Sequence, residues 1–281
     1  QNSTGANNNV GLFGVTKNAT VRNVDMIAGS VSGASNVGSI AGKAIGGEIS
    51  NVTTSMEISG SIDGSSNIGG IVGETNVYVD LVNAKIEGTK LSALDNVGTV
   101  QGKTYVGGIV GYLYGGTLDG GSFNMGYVKG VNTANTSDSD TGTQASHIGG
   151  LVGYADHATL GAITDKESIA NKMEVSGGYN VGGIVGTAVD SNIFNAVNSG
   201  DVTATWYTTE EYKYHSDYSK VNQELHYSEY NSSTKLVTID NVFVSNAGGI
   251  VGNIKSSDNT KETIKNISNT GDVQSTLKSG E

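Results

Sequence analysis

The heptapeptide Asn67-Ile-Gly-Gly-Ile-Val-Gly73 occurs in seven versions along the chain, and this repetition decides the fold class. The first version is one residue short, and Tyr105 and His147 replace the leading asparagine in two others. Self-similarity of this kind is typical of proteins in which one small unit stacks many times along an axis. The versions of this first motif occupy residues 9–14, 36–42, 67–73, 105–111, 147–153, 180–186 and 246–252.

A second motif, Gly-x-Val-x-Gly or close to it, accompanies every copy of the first. Where nothing is inserted, its apolar centre precedes the apolar residue of the next first motif by six positions, and a whole coil takes 27 or 28 residues. A third segment, such as Glu48-Ile-Ser-Asn-Val52, lies between the two motifs. The predicted centres of the second motif are Val31, Ile62, Val100, Val128, Val175, Val202 and Val273.

Three short apolar segments per coil, with glycine and asparagine at the corners, predict an all-β fold. We expect residues 1–281 to form a single parallel, right-handed β-helix, or β-solenoid, of about seven coils with three short strands each. Alternate side chains of a strand point inward, so the second-motif centres should form one buried row. A second buried row should contain Ile40, Ile71, Ile109, Leu151, Ile184 and Ile250.

The leading asparagines of the first motif are predicted to stack into a hydrogen-bonded ladder along the solenoid axis. They occur in five of the seven copies, at positions 9, 36, 67, 180 and 246. His147 occupies the same position in its copy, and we expect it to join the ladder.

The composition excludes several classes of function. The chain of 281 residues has 42 glycines, no proline and no cysteine, and its 36% of hydrophobic residues argues against a disordered chain. A net charge of −11 disfavours nucleic-acid binding, which requires clustered lysine and arginine. No apolar run reaches the roughly 18 residues of a membrane span.

Two long insertions interrupt the repeat at the same corner, between the second motif of one coil and the first motif of the next. The shorter, residues 131–146, is rich in Thr, Ser, Asp and Asn and predicts a solvated loop. The longer, residues 204–244, is rich in aromatic residues that suit contacts with a glycan, a protein or another subunit. The alternative is that these side chains pack on the solenoid wall. The candidate binding residues are Trp206, Tyr207, Tyr212, Tyr214, Tyr218, Tyr227 and Tyr230.

Three carboxylates form a weaker candidate site. Glu174, Asp201 and Asp272 each precede the central valine of a second motif, so they should stack at ~5 Å if the coils are in register. That spacing is near the separation of the two catalytic carboxylates of a retaining glycosidase, and such a stack could also hold Ca²⁺. The alternative is an outward, solvated face. We expect no other cofactor, since the four histidines lack the spacing of a zinc site and no His-Glu-x-x-His helix or phosphate loop is present.

The recurring Gly-Leu/Ile-Val-Gly core at 70–73, 108–111, 150–153, 183–186 and 249–252 resembles the GLUG motif. That motif occurs in bacterial adhesins and in non-catalytic parts of some streptococcal-type immunoglobulin-A metallopeptidases. The resemblance covers essentially the whole chain, and it implies an extracellular region of a bacterial cell-surface or secreted protein, without catalytic residues.

A structural or adhesive repeat module is therefore the expected function, not an enzyme. Its partners would be a host or matrix glycan or protein, or neighbouring copies of the chain. The main alternative is a β-helix enzyme that cleaves polysaccharides, although the 16 lysines and arginines are scattered. Ice binding is a third, but the outward residues form no continuous threonine row. Because neither end has an obvious polar cap, we also expect a fragment of a longer protein or an assembling subunit.

Overall fold

The computed structural model describes residues 8–61, 66–131, 145–162, 167–208, 227–231, 236–239, 246–256 and 263–279. These ranges consist of strands and connecting turns, without a helix, which confirms the all-β class. No helix in the part of the chain described is long and apolar enough to cross a membrane.

The strands are short, apart from two of fourteen residues. The first ten are β1 (Asn8–Val10), β2 (Phe13–Met26), β3 (Ser30–Gly33), β4 (Ser35–Val37), β5 (Ala41–Thr54), β6 (Glu57–Gly60), β7 (Ser66–Gly69), β8 (Val72–Asn76), β9 (Tyr78–Asp80) and β10 (Lys85–Glu87). Next come β11 (Lys90–Asn96), β12 (Val100–Gly102), β13 (Thr104–Gly107), β14 (Val110–Tyr114), β15 (Thr117–Leu118), β16 (Phe123–Asn124), β17 (Val128–Gly130), β18 (Ser146–Gly149), β19 (Val152–Asp156), β20 (Thr159–Leu160) and β21 (Ile169–Asn171). The last are β22 (Val175–Gly177), β23 (Tyr179–Gly182), β24 (Val185–Val189), β25 (Asn192–Asn198), β26 (Val202–Thr208), β27 (Tyr227–Asn231), β28 (Leu236–Ile239), β29 (Ala247–Gly248), β30 (Val251–Lys255), β31 (Ile264–Asn269) and β32 (Val273–Ser279).

Three parallel sheets run along the length of the solenoid. The first contains the first half of every first motif, in the order β1-β4-β7-β13-β18-β23-β29. The third contains every second motif, in the order β3-β6-β12-β17-β22-β26-β32. The middle sheet has 14 strands, drawn from the second half of the first motif and from the third segment. Seven strands in each outer sheet confirm the predicted seven coils.

The first motif is two strands, not one as predicted. In the third coil, β7 belongs to the first sheet and β8 to the middle sheet, with a bend at Gly70 and Ile71 between them. A Cβ atom on Gly70 would lie 2.1 Å from the carbonyl oxygen of Gly108 in the next coil. The bend in this coil therefore requires Gly70. The three predicted segments of a coil become three strands in some coils, as in β1–β3, and up to five in others, as in β13–β17.

Two apolar cores fill the solenoid. The larger lies within the folded middle sheet and contains the predicted row Ile40, Ile71, Ile109, Leu151, Ile184 and Ile250, which is buried throughout. The smaller lies between the first and third sheets and contains second-motif residues such as Val100, Val128, Val175 and Val202, each completely buried. The predicted row from Ile40 to Ile250 is thus confirmed. In the row of second-motif centres, Val31 at one end is only half-buried and Val273 at the other end is 44% exposed. Between them the predicted row is confirmed with one exception.

The exception is Ile62, whose predicted place in the row belongs to Ile58. Ile58 pairs with Val31 on one side and Val100 on the other, and it is 1% exposed. Ile62 lies outside the described residues. The segment from Ile58 to Gly64 contains two apolar-x-Gly patterns, at 58–60 and 62–64, and the six-residue spacing favours the second, which is the wrong one.

An internal ladder of asparagines separates the two cores, and the sequence reasoning missed it. Each side chain donates from Nδ2 to Oδ1 of the next asparagine at 2.7–2.8 Å, and to a backbone carbonyl two residues further on at 2.7–2.9 Å. Every member precedes the central valine of a second motif by four residues, which is the signal that could have revealed it. The members are Asn96, Asn124, Asn171, Asn198 and Asn269.

The second glycine of the Gly-Gly pair packs directly on this internal ladder. A Cβ atom at this position would lie 2.4–2.8 Å from the Cγ atom of the ladder asparagine in the same coil. In the second coil, where Thr54 replaces the asparagine, Ser39 replaces the glycine. The positions are Gly70, Gly108, Gly150, Gly183 and Gly249.

Replacing Gly108 with alanine should destabilise the solenoid, because the new methyl group would lie 2.2 Å from the carbonyl oxygen of Gly150 and 2.4 Å from Asn124 Cγ. Both neighbours are packed inside the solenoid, so we expect a loss of about 2–3 kcal/mol, in the range of an overpacked core. Chemical denaturation measures it. Gly14→Ala is the control, since the one atom near its Cβ lies 3.1 Å away. Equal losses for the two variants would contradict the packing argument.

Candidate functional site

The predicted aromatic insertion is described only at its edges. Trp206 and Tyr207 continue β26 and pair with Leu277 and Lys278 of β32. Tyr227 and Tyr230 lie in β27, which forms an antiparallel hairpin with β28. The remaining candidates, Tyr212, Tyr214 and Tyr218, lie outside the described residues. A contact role for this insertion therefore stays a prediction.

The predicted bounds of both insertions need correction. The strand that precedes the longer insertion pairs with its neighbour as far as Thr208, so the coil continues beyond the expected start at 204. At the shorter insertion, Ala145 is completely buried and Ser146 begins β18, so both belong to the next coil. The common corner is confirmed, because both insertions connect the third sheet to the first.

The three candidate carboxylates occupy the predicted positions. Glu174, Asp201 and Asp272 directly precede β22, β26 and β32 on successive coils, and all three are exposed. Asp201 Oδ1 accepts a hydrogen bond from the backbone N–H of Asp272 at 3.0 Å. No group of three or more His, Cys, Asp or Glu in the described ranges is placed to hold a metal ion. The arrangement favours the solvated-face interpretation.

A cluster of aromatic side chains on the outer surface of the fourth to sixth coils is the most distinctive feature of the described residues. Most of its members come from two sets of equivalent positions on successive coils. One set is the leading position of the first motif. The other lies seven residues later, where parallel pairing aligns Glu74, Tyr112, Tyr154 and Thr187. We name this cluster the tyrosine face, and its members are Tyr105, Tyr112, Tyr114, His147, Tyr154 and Tyr179.

The tyrosine face interrupts the outer asparagine ladder. Asn36 donates from Nδ2 to Asn9 Oδ1 at 2.8 Å, and Asn67 donates to Asn36 at 2.7 Å, as predicted. The next leading residue is Tyr105, which cannot donate in the same way, and Asn67 Oδ1 is left buried without a partner. A buried, unpaired acceptor costs roughly 1–3 kcal/mol, so the aromatic residue is present at the expense of stability.

The backbone conformation of Tyr105 is a second source of lost stability. Three successive leading residues have a positive φ angle, which is 59° at Asn67, 53° at Tyr105 and 58° at His147. Asparagine tolerates this left-handed conformation, whereas for a bulky residue such as tyrosine it is an outlier. Such strain persists where the surrounding structure enforces it and is concentrated at functional sites.

The rings of the tyrosine face form one continuous network. Tyr105 lies at the centre, with ring centroids 4.9 Å from Tyr154, 5.1 Å from His147 and 5.8 Å from Tyr112. His147 in turn lies 5.4 Å from Tyr179. All of these side chains are half-buried, so each ring packs on its neighbours and still presents part of its surface to solvent.

Hydrogen bonds orient several of these rings. Tyr112 Oη donates to Asp156 Oδ2 at 3.1 Å, and the other oxygen of Asp156 lies 2.5 Å from His157 Nδ1. His147 Nδ1 lies 2.7 Å from the hydroxyl of the buried Thr187. Asp190 Oδ2 lies 3.9 Å from the second ring nitrogen of His157, so two carboxylates border the tyrosine face on this side.

Four members of the tyrosine face have pKa values shifted so that the uncharged form is favoured. Burial raises the pKa of Tyr105, and burial with the nearby Asp156 carboxylate raises the pKa of Tyr112 and Tyr154 above the ordinary value. Burial, followed by the charge of Lys255, lowers the pKa of His147 to about 4. The surface is therefore aromatic and polar, with its negative charge confined to its edge.

We expect His147 to make the stability of the solenoid depend on pH. Its folded-state pKa of about 4 lies below the ordinary value of 6.5, so the neutral ring stabilises the fold above pH 6.5. This contribution, up to about 3 kcal/mol, is lost as the pH falls from 6.5 towards 4. The measurement compares thermal unfolding of the wild type and His147→Asn across that interval. Parallel pH profiles of the two proteins would contradict it.

The expectation for His147 was correct in part. Its Nδ1 lies 3.5 Å from Asn180 Nδ2, and Asn180 Oδ1 accepts a hydrogen bond from Asn246 Nδ2 at 2.9 Å, so the ring lies at the end of the upper part of the ladder. Its membership of an aromatic cluster was not expected. The available signal was the seven-residue spacing from Tyr105 to Tyr112 and from His147 to Tyr154, which joins two outward columns.

A second exposed feature is the hairpin formed by β9 and β10. It projects where other coils turn tightly, and its aliphatic side chains face solvent. Leu81 and Val82 at the tip are 88% and 92% exposed, and Val79 and Ile86 lie opposite each other at 51% and 69%. Exposed apolar surface of this kind is typical of contact sites, so the hairpin is a second candidate for one.

Comparison with known proteins gives one match. The chain is 35% identical over 124 residues to Halomucin of Haloquadratum walsbyi. The match covers 42% of this chain, whereas it spans only 1% of the length of Halomucin. No protein-family model matches the chain, and no solved structure matches it.

Proposed function

We propose that this chain is a structural and adhesive module of a cell-surface or secreted protein, in which the solenoid is a rigid rod that displays a contact surface. The observation that carries the proposal is the tyrosine face. The fourth and fifth coils replace the asparagines of a stabilising ladder with the half-exposed rings of Tyr105 and His147, at the cost of a strained Tyr105 and an unpaired Asn67 oxygen. A protein is expected to retain a destabilising feature on its outer surface where that surface makes functional contacts.

Two further observations support an extracellular role. One is the similarity to Halomucin, whose name describes a mucin. The other is the resemblance of the repeat to the GLUG motif of bacterial adhesins. The proposed partners are a glycan, a protein or further copies of this chain, and the proposed location is outside the cell.

The test is attachment of beads coated with the purified chain to three surfaces, covered with polysaccharide, with protein or with the chain itself. We expect attachment to at least one surface, and a reduction of about tenfold or more for the Tyr112→Ser/Tyr154→Ser variant. Tyr127→Ser is the matched control, because Tyr127 is 42% exposed and lies on another part of the coil, directly before β17.

Two outcomes would contradict the proposal. One is attachment no greater than that of uncoated beads on all three surfaces. The other is attachment that the Tyr112→Ser/Tyr154→Ser variant leaves unchanged, and loss in a Leu81→Ser/Val82→Ser variant would then assign the contact to the hairpin. Shortening of a polysaccharide during the assay would instead indicate an enzyme.

A further inference from the structure

We propose that the tyrosine face binds a neutral polysaccharide chain, with sugar rings stacked on Tyr105, Tyr112 and Tyr154 and hydroxyls bonded to the polar groups at its edge. This inference rests on the proposed adhesive function and names the ligand class of the same surface. It concerns the regular coils of the solenoid, not the aromatic insertion that the sequence singled out.

The first argument is the chemistry of the surface. Tyrosine rings offer an apolar face and a hydroxyl on the same side chain, which suits a ligand with alternating C–H and O–H groups. The phenols of Tyr105 and Tyr154 have raised pKa values and keep their protons, so they can donate as well as accept hydrogen bonds. Asp156, half-buried at the edge of the face, adds carboxylate oxygens as strong acceptors for sugar hydroxyls.

The second argument is charge. Asp156 and Asp190 border the surface, and the whole chain has a net charge of −11. An acidic polysaccharide would bring like charge against these carboxylates, whereas a neutral one would not. Among the described residues, Lys255 is the basic group whose charge lowers the pKa of His147. The electrostatics therefore select neutral over acidic polysaccharides.

The third argument is shape. Tyr112 and Tyr154 are register partners on adjacent coils, with ring centroids 5.4 Å apart and ring planes at 70°, so that together they offer a ring face and a ring edge. Adjacent coils are separated by ~4.8 Å, so the rings form a row along the solenoid axis. Tyr105 and Tyr179 widen this row on one side through their contacts with Tyr154 and His147. A row of rings on an open surface accommodates an extended chain, because successive sugar units can contact rings on successive coils, stacking on a ring face at one and packing on a ring edge at the next.

The test is affinity electrophoresis of the folded chain in gels that contain a soluble neutral polysaccharide, namely a β-glucan, a galactomannan or a dextran. Gels with alginate, which is acidic, are run in parallel. We expect retardation by at least one neutral polysaccharide and none by alginate. Tyr154→Ser should weaken the retardation about tenfold or more, and Tyr127→Ser should not.

Tyr105→Asn separates binding from folding. Asparagine tolerates the positive φ of this position and can donate to the unpaired Asn67 Oδ1, so the melting temperature should stay the same or rise. Binding should nevertheless fall about tenfold. A variant that is at least as stable and yet binds less can have lost only the aromatic contact.

Several results would overturn the inference. They are the lack of retardation by any neutral polysaccharide, retardation by alginate alone, and retardation that Tyr105→Asn and Tyr154→Ser leave unchanged. Release of bound protein by choline would reassign the rings to a cationic ligand. If no polysaccharide binds but bead attachment to protein still depends on Tyr112 and Tyr154, this inference fails and the adhesive function stands.

Discussion

Val175→Asp is expected to unfold several coils of the solenoid. Val175 is completely buried in the smaller core, where Val128 and Val202 are its register partners on the adjacent coils. These neighbours offer an aspartate neither a hydrogen-bond donor nor a positive charge, so we expect a loss of more than about 4 kcal/mol. Because each coil of a repeat protein is stabilised by its two neighbours, the loss should spread along the axis.

Far-UV circular dichroism and thermal unfolding measure this effect. Ser176→Asp is the matched control, because Ser176 is the next residue of the same strand, only half-buried, and pairs with Lys129 and Thr203. We expect little change in that variant. Ile184→Asp should reproduce the loss in the larger core, where Ile184 is also completely buried. Unchanged melting temperatures for both core variants would mean that the inward register is wrong.

Asn124→Leu is expected to have the second largest effect. The Asn124 side chain donates to Asn171 Oδ1 at 2.8 Å and to the Gly126 carbonyl at 2.7 Å, and it accepts from Asn96 Nδ2 at 2.8 Å. It is completely buried. Leucine has a similar volume, so the change removes hydrogen bonds without opening a cavity. Each buried partner left unpaired costs roughly 1–3 kcal/mol, and we expect a total loss of about 3–5 kcal/mol.

The comparison is with Asn269→Leu, which alters an exposed rung of the same ladder in the seventh coil. Water can replace the lost hydrogen bonds there, so the loss should be smaller by at least about 2 kcal/mol. Chemical denaturation gives both values. Similar losses for Asn124→Leu and Asn269→Leu would show that burial of the ladder does not contribute to stability.

The sequence was most informative at positions whose structural environment accepts only one type of residue. The large aliphatic residue of the first motif, such as Ile71 or Ile109, is completely buried as expected, since an apolar residue that recurs in every coil has to face the interior. The asparagines at 9, 36 and 67 form the expected ladder. Their side chains suit both requirements of the position, a positive φ and a hydrogen bond along the axis.

The local sequence pattern could not identify the buried residue where two residues matched it equally well. Ile58 and Ile62 both stand two residues before a glycine, and only the pairing of Ile58 with Val31 and Val100 identifies the inward residue. The internal ladder was missed for a related reason. Asparagine is mostly exposed in proteins, so its constant distance from the central valine does not by itself indicate burial.

The sequence by itself therefore determined the stacked coils, their number and the two apolar rows, because these depend on a short pattern that recurs within each coil. Only the tertiary structure decided the tyrosine face. Tyr105, Tyr154 and Tyr179 belong to three different coils, and insertions of unequal length make their separation along the chain irregular. Parallel pairing removes that irregularity, since it aligns equivalent positions whatever the length of the loop between them.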